Sequence, residues 1–147
     1  MGTILSLIKK AEALKPQKVK SDLFQFIRSI ESELVAYNVA TLRDDSQDVN
    51  GKPIGFYSRA TELITGGRKK KGDPFDLLDT GKLLDSLFVK VQTDSLFFGN
   101  KDPKLKEVLK NTISDDLFGL QEDDLNKVLE TRVLPYLLKY YTQKLGI

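Results

Sequence analysis

The sequence contains neither cysteine nor histidine. Without cysteine there is no disulfide framework and no thiolate nucleophile. That fits a reducing cytosol, and it fits equally the extracellular assemblies that do without disulfides. Without histidine there is no imidazole base near neutral pH, no His-based triad and no His/Cys zinc site. Any catalysis is left to carboxylates, Lys, Tyr, Ser or Thr. Long apolar runs are missing too. The opening segment, MGTILSLIKKAEALK, is broken early by Lys9 and Lys10 and is too short to span a bilayer. Its basic residues follow the apolar stretch, the reverse of a signal sequence, so neither export nor a membrane partner is expected. Charge of one sign is scarce as well. A formal net charge of +2 does not by itself imply nucleic-acid binding.

What remains is a chain of 147 residues, 40% hydrophobic and 30% charged, the profile of one soluble globular domain able to bury a core of its own. Ile4, Leu7, Ile8, Ala11 and Leu14 recur at helical spacing, and Pro16 ends that segment. Residues 1–15 therefore read as an N-terminal amphipathic arm or helix, and residues 16–147 as a single α+β domain. A long helix is expected from about Lys18 to Leu42, with Leu23, Ile27, Ile30, Leu34 and Tyr37 as its stripe and Phe24 and Phe26 widening the apolar face. LFVKVQ alternates, with Leu87, Val89 and Val91 on one face, and SLFFG returns after a turn at Thr93-Asp94. The pair predicts a β-hairpin, a small antiparallel sheet. Asp102 and Pro103 mark a further helix start, with Leu105, Val108 and Leu109 facing inward. A C-terminal helix is expected from about Gln121 to Leu145. Glu122, Asp123 and Asp124 suit its positive end, Leu120 and Leu125 suggest a hydrophobic staple, and Leu125, Leu129, Leu138, Tyr141 and Leu145 carry the stripe. Pro135 predicts a kink in it.

Two loops invite functional readings. RDDSQDVNGKPIGFYS offers Ser46, Asp48, Asn50 and Gly51 in the spacing of the first half of a calcium-binding loop. The closing bidentate Glu would fall where Tyr57 stands, so the ligand set fails and a solvated turn is expected, with Asn50-Gly51 at its tip. After a helical turn at residues 58–64, Gly66 and Gly67 open a mobile loop carrying Arg68, Lys69, Lys70 and Lys71, closed by Gly72. The order GxxxxGK[ST] of a phosphate-binding loop is absent. A flexible solvated tip is the plain reading. Contact with a phosphate backbone or an acidic partner is the functional one, and no aromatic residues interleave to make a stacking platform.

Asp76, Asp79 and Asp85, with Asp115 and Asp116, are the carboxylates available for metal-assisted or acid–base chemistry. Asp79 and Asp85 stand six residues apart and would face different sides of one helix. Asp79 or Thr80 instead suits an N-cap for a short helix over Gly81–Ser86, and Asp85 suits a solvent-facing position. Neither catalytic residues, nor a cofactor, nor a metal is expected.

The order of these features carries a resemblance. GKPIGFYSRAT at 51–61, LLDTGKLLDSLFVKV at 77–91, a second strand, and DLFGLQEDDLNKVLETRVLPYLLKYYTQKL at 116–145 together resemble the tail-completion or virion-morphogenesis proteins of tailed bacteriophages. These are small head–tail connector and neck components, in the form familiar from prophage-like genes of Bacteroidetes. The resemblance covers roughly residues 20–145 and leaves residues 1–15 outside it. It implies a structural virion protein, not an enzyme, assembled in the host cytoplasm as a homo-oligomeric ring. That ring would sit between portal and tail beside other neck, portal or tail proteins, with DNA in its channel. It further implies that Asp79, Thr80, Gly81 and Ser86 define cap and turn positions of the fold. The alternative from a different class is a nucleic-acid-binding accessory protein that uses the basic loop 66–72.

Overall fold

The computed structural model describes residues 3–74, 82–92, 95–110, 112–114 and 116–147. The Thr3 hydroxyl accepts a hydrogen bond from the Ser6 amide at 3.2 Å and so caps α1, Ile4–Ala13. Leu14 and Lys15 turn extended, as the residue before a proline is driven to do, and Pro16 then opens α2, Pro16–Ser29, at a position where its missing N–H costs nothing. The long helix expected over 18–42 is in fact two, α2 and α3, Glu31–Arg43, broken at Ile30 with φ −112° and ψ 18°. The Ser29 hydroxyl donates back to the Phe26 carbonyl, and the Ile30 amide closes a tightened turn onto Ile27 at 3.1 Å. The break sets the Ile30 side chain into the core beside Leu34, Val89 and Val128.

The chain is α+β. β1, Leu87–Val91, and β2, Leu96–Asn100, form a two-stranded antiparallel sheet in register from Leu87 opposite Asn100 to Val91 opposite Leu96. The predicted alternation holds: Leu87, Val89 and Val91 are buried, and α3 lies across β1. The turn at Thr93 and Asp94 falls outside the described residues. A first core cluster joins Leu42, Ile54, Leu83, Leu84, Leu87 and Leu117. Between α3 and the hairpin lie α4, Arg59–Ile64, capped by Ser58, and α5, the short helix Lys82–Asp85 that supplies Leu83 and Leu84. Leu105, Val108 and Leu109 pack against the same cluster from α6, Leu105–Lys110, a helix that begins just after the Asp102 carboxylate accepts the Lys104 amide at 2.8 Å.

The C-terminal helix runs as α7, Glu122–Val128, a π-helical turn over Leu129–Val133, and α8, Leu134–Leu145, ended by Gly146 at φ 69°. Pro135 has no amide to extend the α ladder, and the expected interruption takes the form of this wider turn, in which the Leu134 amide donates to the Leu129 carbonyl five residues back. Val128 and Tyr140 are the residues this run buries. The stripe expected to pack inward does not. Leu125, Leu129, Leu138 and Tyr141 are all exposed, because the hairpin and α3 take the helix on its Val128 side. α1 lies against α8.

Candidate functional site

The exposed face of the C-terminal helix carries five large apolar side chains. Leu125 and Leu129 are four residues apart, Leu134 follows five on, and Leu138 and Tyr141 follow four and three later. In an unbroken α-helix a five-residue step would rotate Leu134 off the row. Here the π turn widens the helix over that step, and the Leu129 carbonyl accepting the Leu134 amide stacks the two residues. Leu134 is 53% and Leu138 62% exposed, so the row faces solvent along its length. Glu122, Asp123 and Glu130 are exposed in the N-terminal half together with Lys127 and Arg132, Asp124 accepts the Thr41 hydroxyl at 3.4 Å, and Lys139 and Lys144 stand at the other end.

A second apolar face belongs to α1. Leu7 and Leu14 are half-buried, but Ile4 and Leu5 are 77% and 72% exposed and Ile8 stands out with them, with Glu12 one turn further on, while Lys10 lies toward Gly146 of its own chain. α1 buries no residue completely. It rests near a set of polar and aromatic contacts between α2 and α8. The Tyr140 hydroxyl donates to Asp22 Oδ2 at 2.8 Å, the Tyr136 hydroxyl donates to the Asp22 carbonyl at 3.1 Å, and Lys18 Nζ meets Asp22 Oδ1 at 2.9 Å. Phe26 stacks on Tyr136 with ring centroids 4.3 Å apart. The Lys18 ammonium, and after it the Tyr140 hydroxyl, hold the Asp22 carboxyl below its ordinary range. Burial, followed by the bond to Asp22, pushes the Tyr140 phenol up to about 12.

The basic loop is held by hydrogen bonds to its own acceptors. Gly66, Gly67 and Gly72 take positive φ, which lets the chain double back on itself. The Gly67 amide donates to the Glu62 carbonyl, the Lys69 amide to the Thr65 hydroxyl, the Lys70 amide to Asp73 Oδ2 and the Lys71 amide to Glu62 Oε2. Amides that could cradle a phosphate are thus already engaged by the loop's own acceptors. Lys69 lies over the Tyr57 ring at 5.1 Å, while Arg68, Lys70 and Lys71 project from the surface. What the loop offers is a set of braced cations, without a backbone nest.

The solvated turn expected around Asp48 is corrected by the structure: the turn is there, but Asp48 is only 2% exposed. Its Oδ1 accepts the amides of Asn50 and Lys52, both at 2.8 Å, and its Oδ2 accepts the Ser114 hydroxyl at 2.7 Å. Burial raises this carboxyl, but those donors outweigh it and hold it below its usual value. Both oxygens serve the loop, so Asp48 is a clamp between residues 48–52 and 114. Among the described residues no cluster of three or more acidic side chains could hold a metal ion. Asp76, Asp79, Thr80, Gly81 and Asp115 lie outside the described residues. Ser86 is described: its hydroxyl donates to the Lys82 carbonyl at 2.6 Å and its own carbonyl accepts the Lys101 amide at 3.0 Å, so it joins α5 to the end of the hairpin. Asp85 is exposed, and Asp116 accepts the Asn50 carboxamide at 3.4 Å.

Sequence reasoning missed Asn38, which is 1% exposed and bonded at both ends of its carboxamide. Its signal was visible, since Asn38 stands four residues from both Leu34 and Leu42, in the middle of an apolar row. Among the described residues no helix is long and apolar enough to cross a membrane. Compared with family models, with curated proteins and with solved structures, the chain matches none.

Proposed function

We propose that this chain is a structural, non-enzymatic protein of a tailed-phage virion. It forms a homo-oligomeric ring at the head–tail junction, as a neck, connector or tail-completion component that meets portal or tail proteins and encircles the DNA. The observation that carries this reading is the solvent-facing apolar row Leu125–Leu129–Leu134–Leu138–Tyr141, kept in line by a π turn. Monomeric proteins scatter exposed leucines singly, whereas an aligned row of this kind marks a surface built to be covered. The order of motifs along the chain agrees with it. Quantitative mass spectrometry of purified particles tests the reading. The chain is expected in the virion at the copy number of a closed ring, and its absence from particles would sink the proposal.

A second reading is favoured by one observation, the exposed Arg68, Lys70 and Lys71 on a braced loop. As a nucleic-acid accessory protein the chain would bind duplex DNA with a steep salt dependence. Lys69→Ala/Lys70→Ala/Lys71→Ala would then lower the slope of log K against log salt by about one for each phosphate no longer neutralised. Binding that ignores both salt and this triple substitution would remove that reading.

A further inference from the structure

We infer that the outer face of the hairpin is a stacking platform for single-stranded nucleic acid. The inference stands apart from the ring reading and from the basic loop, because it rests on other residues. The register of the two strands fixes which side chains share that face. Val89 and Val91 turn inward opposite Phe98 and Leu96, so Phe88 and Lys90 of β1 stand outward with Phe97 and Gly99 of β2. Lys101 follows just beyond β2 on the same side, its Nζ 5.1 Å from the centre of the Phe88 ring.

The two rings lie 6.0 Å apart with their planes at 55°, and Gly99 is the floor beneath them. A Cβ on Gly99 would stand 2.6 Å from Cζ of Phe88 and 2.9 Å from Cε1 of Phe97. Any larger residue there would lift both rings off the strand. Phe97 is 50% exposed and Phe88 is half-buried. Cations alternate with these rings. Lys90 pairs across the ladder with Phe97, Lys101 lies over Phe88, and both lysines are exposed. Among its described residues the face carries no carboxylate. The acids nearest in sequence are Asp85, which closes α5, and Asp102, whose carboxylate is turned to the Lys104 amide. Asp94 lies outside the described residues.

This chemistry selects the ligand. The two ammonium groups call for an anion, and the rings call for a flat π face. An unpaired nucleotide supplies both, its phosphates to Lys90 and Lys101 and its base to Phe97. A duplex does not, since its bases are stacked on one another and closed to the rings. An apolar protein surface is poorly matched as well. The face has no exposed aliphatic side chain, and its most exposed ring stands beside a charge. Two rings hold one or two bases, and the platform is tolerant of sequence because every base has a π face.

The test follows fluorescence anisotropy of the full chain with three labelled probes of equal length. They are an oligothymidylate, the same strand with abasic sites in place of its bases, and a duplex. The native chain is expected to bind the oligothymidylate about tenfold more tightly than the abasic strand, the contribution of about one stacked base. Phe97→Ala should remove that difference and Phe97→Tyr should keep it. Phe56→Ala, at an exposed ring outside the hairpin, should leave it unchanged. Lys90→Ala should lower the slope of log K against log salt by about 0.7, that of one phosphate on a single strand.

Equal affinity of the native chain for the oligothymidylate and the abasic strand would mean that phosphates alone are held, and the inference would fall without recourse to any variant. A duplex bound more tightly than the single strand, with no loss on Phe97→Ala, would overturn it equally. So would the absence of binding to the oligothymidylate at low salt. None of these outcomes depends on whether the chain is found in virions.

Discussion

Asn38 holds the Leu117 carbonyl: its Nδ2 donates to that oxygen at 2.9 Å, deep between α3 and the segment that leads into α7. Its Oδ1 accepts the Gly119 amide at 3.2 Å, so one side chain satisfies two backbone groups of a buried turn. Leu117 itself is fully buried. The Asn38→Leu variant roughly keeps the volume and removes both bonds, leaving a carbonyl and an amide without partners. The expected loss is about 2–4 kcal/mol, since each buried unsatisfied group costs about 1–3 kcal/mol. Urea denaturation measures it as a lower midpoint at unchanged slope. A loss below about 0.5 kcal/mol, the range of surface substitutions, would show that the turn does not depend on Asn38.

Asp48 makes stability depend on acid. Its carboxyl is held below the ordinary value in the folded chain, so its contribution is complete above the unfolded value of about 3.9 and is lost as pH falls through the lower folded value. Asp22 has the same sign and the same window. The melting temperature of the native chain should therefore drop as pH falls below about 4. Asp48→Asn should start lower at neutral pH and slope less in acid. Equal slopes for the two chains would show that Asp48 is not a source of the acid limb.

Tyr140 acts at the other end of the scale. Its phenol is raised to about 12, so the stability it contributes is complete below the unfolded value of about 10 and is lost as pH rises through about 12. Tyr136 is raised too, by burial and then by the Asp22 charge. When phenolate absorbance is followed against pH, Tyr140 should therefore give a step near pH 12. Tyr140→Phe should delete that step. A titration of the folded chain with no step above about pH 11 would contradict the placement of Tyr140.

The basic loop offers a proteolytic readout. Glu62 accepts the Lys71 amide through its carboxylate and the Gly67 amide through its carbonyl. Glu62→Ala removes the first of these, worth about 1 kcal/mol, and should enlarge the opened population of the loop about fivefold. Trypsin, which cuts after Lys and Arg, should then cleave at Arg68–Lys71 about five times faster, with the global melting point almost unchanged. An unaltered cleavage rate would mean that the side-chain bond does not brace the loop.

The hairpin was legible because its alternation has a period of two that nothing else in the chain imitates, and Leu87, Val89 and Val91 fall inward as read. The helix break at Ile30 was not, because Ile is an ordinary helix residue and the Ser29 hydroxyl bonded back to the Phe26 carbonyl beside the break leaves no periodic trace. The ligand types around Asp48 suit calcium, but its surroundings decide the matter: the amides two and four residues on and a serine 66 positions away fill both oxygens. The C-terminal row was legible as a row. Which side of the helix would be covered was not, since a stripe of leucines records only that something apolar meets it, be it the chain's own core or another molecule.

The π turn acts as a phase adjuster. Val128 and Tyr140 must both face inward on one helical run. Val128 and Tyr140 stand twelve residues apart, a separation that would turn them about 120° from each other on an unbroken α-helix. Deleting one residue from Leu129–Val133 would close the wide turn and leave a continuous α-helix with the two side chains still about 20° apart, so Tyr140 would keep its side of the helix. The wide turn is the trace of one extra residue, taken up without changing which side of the helix meets the core.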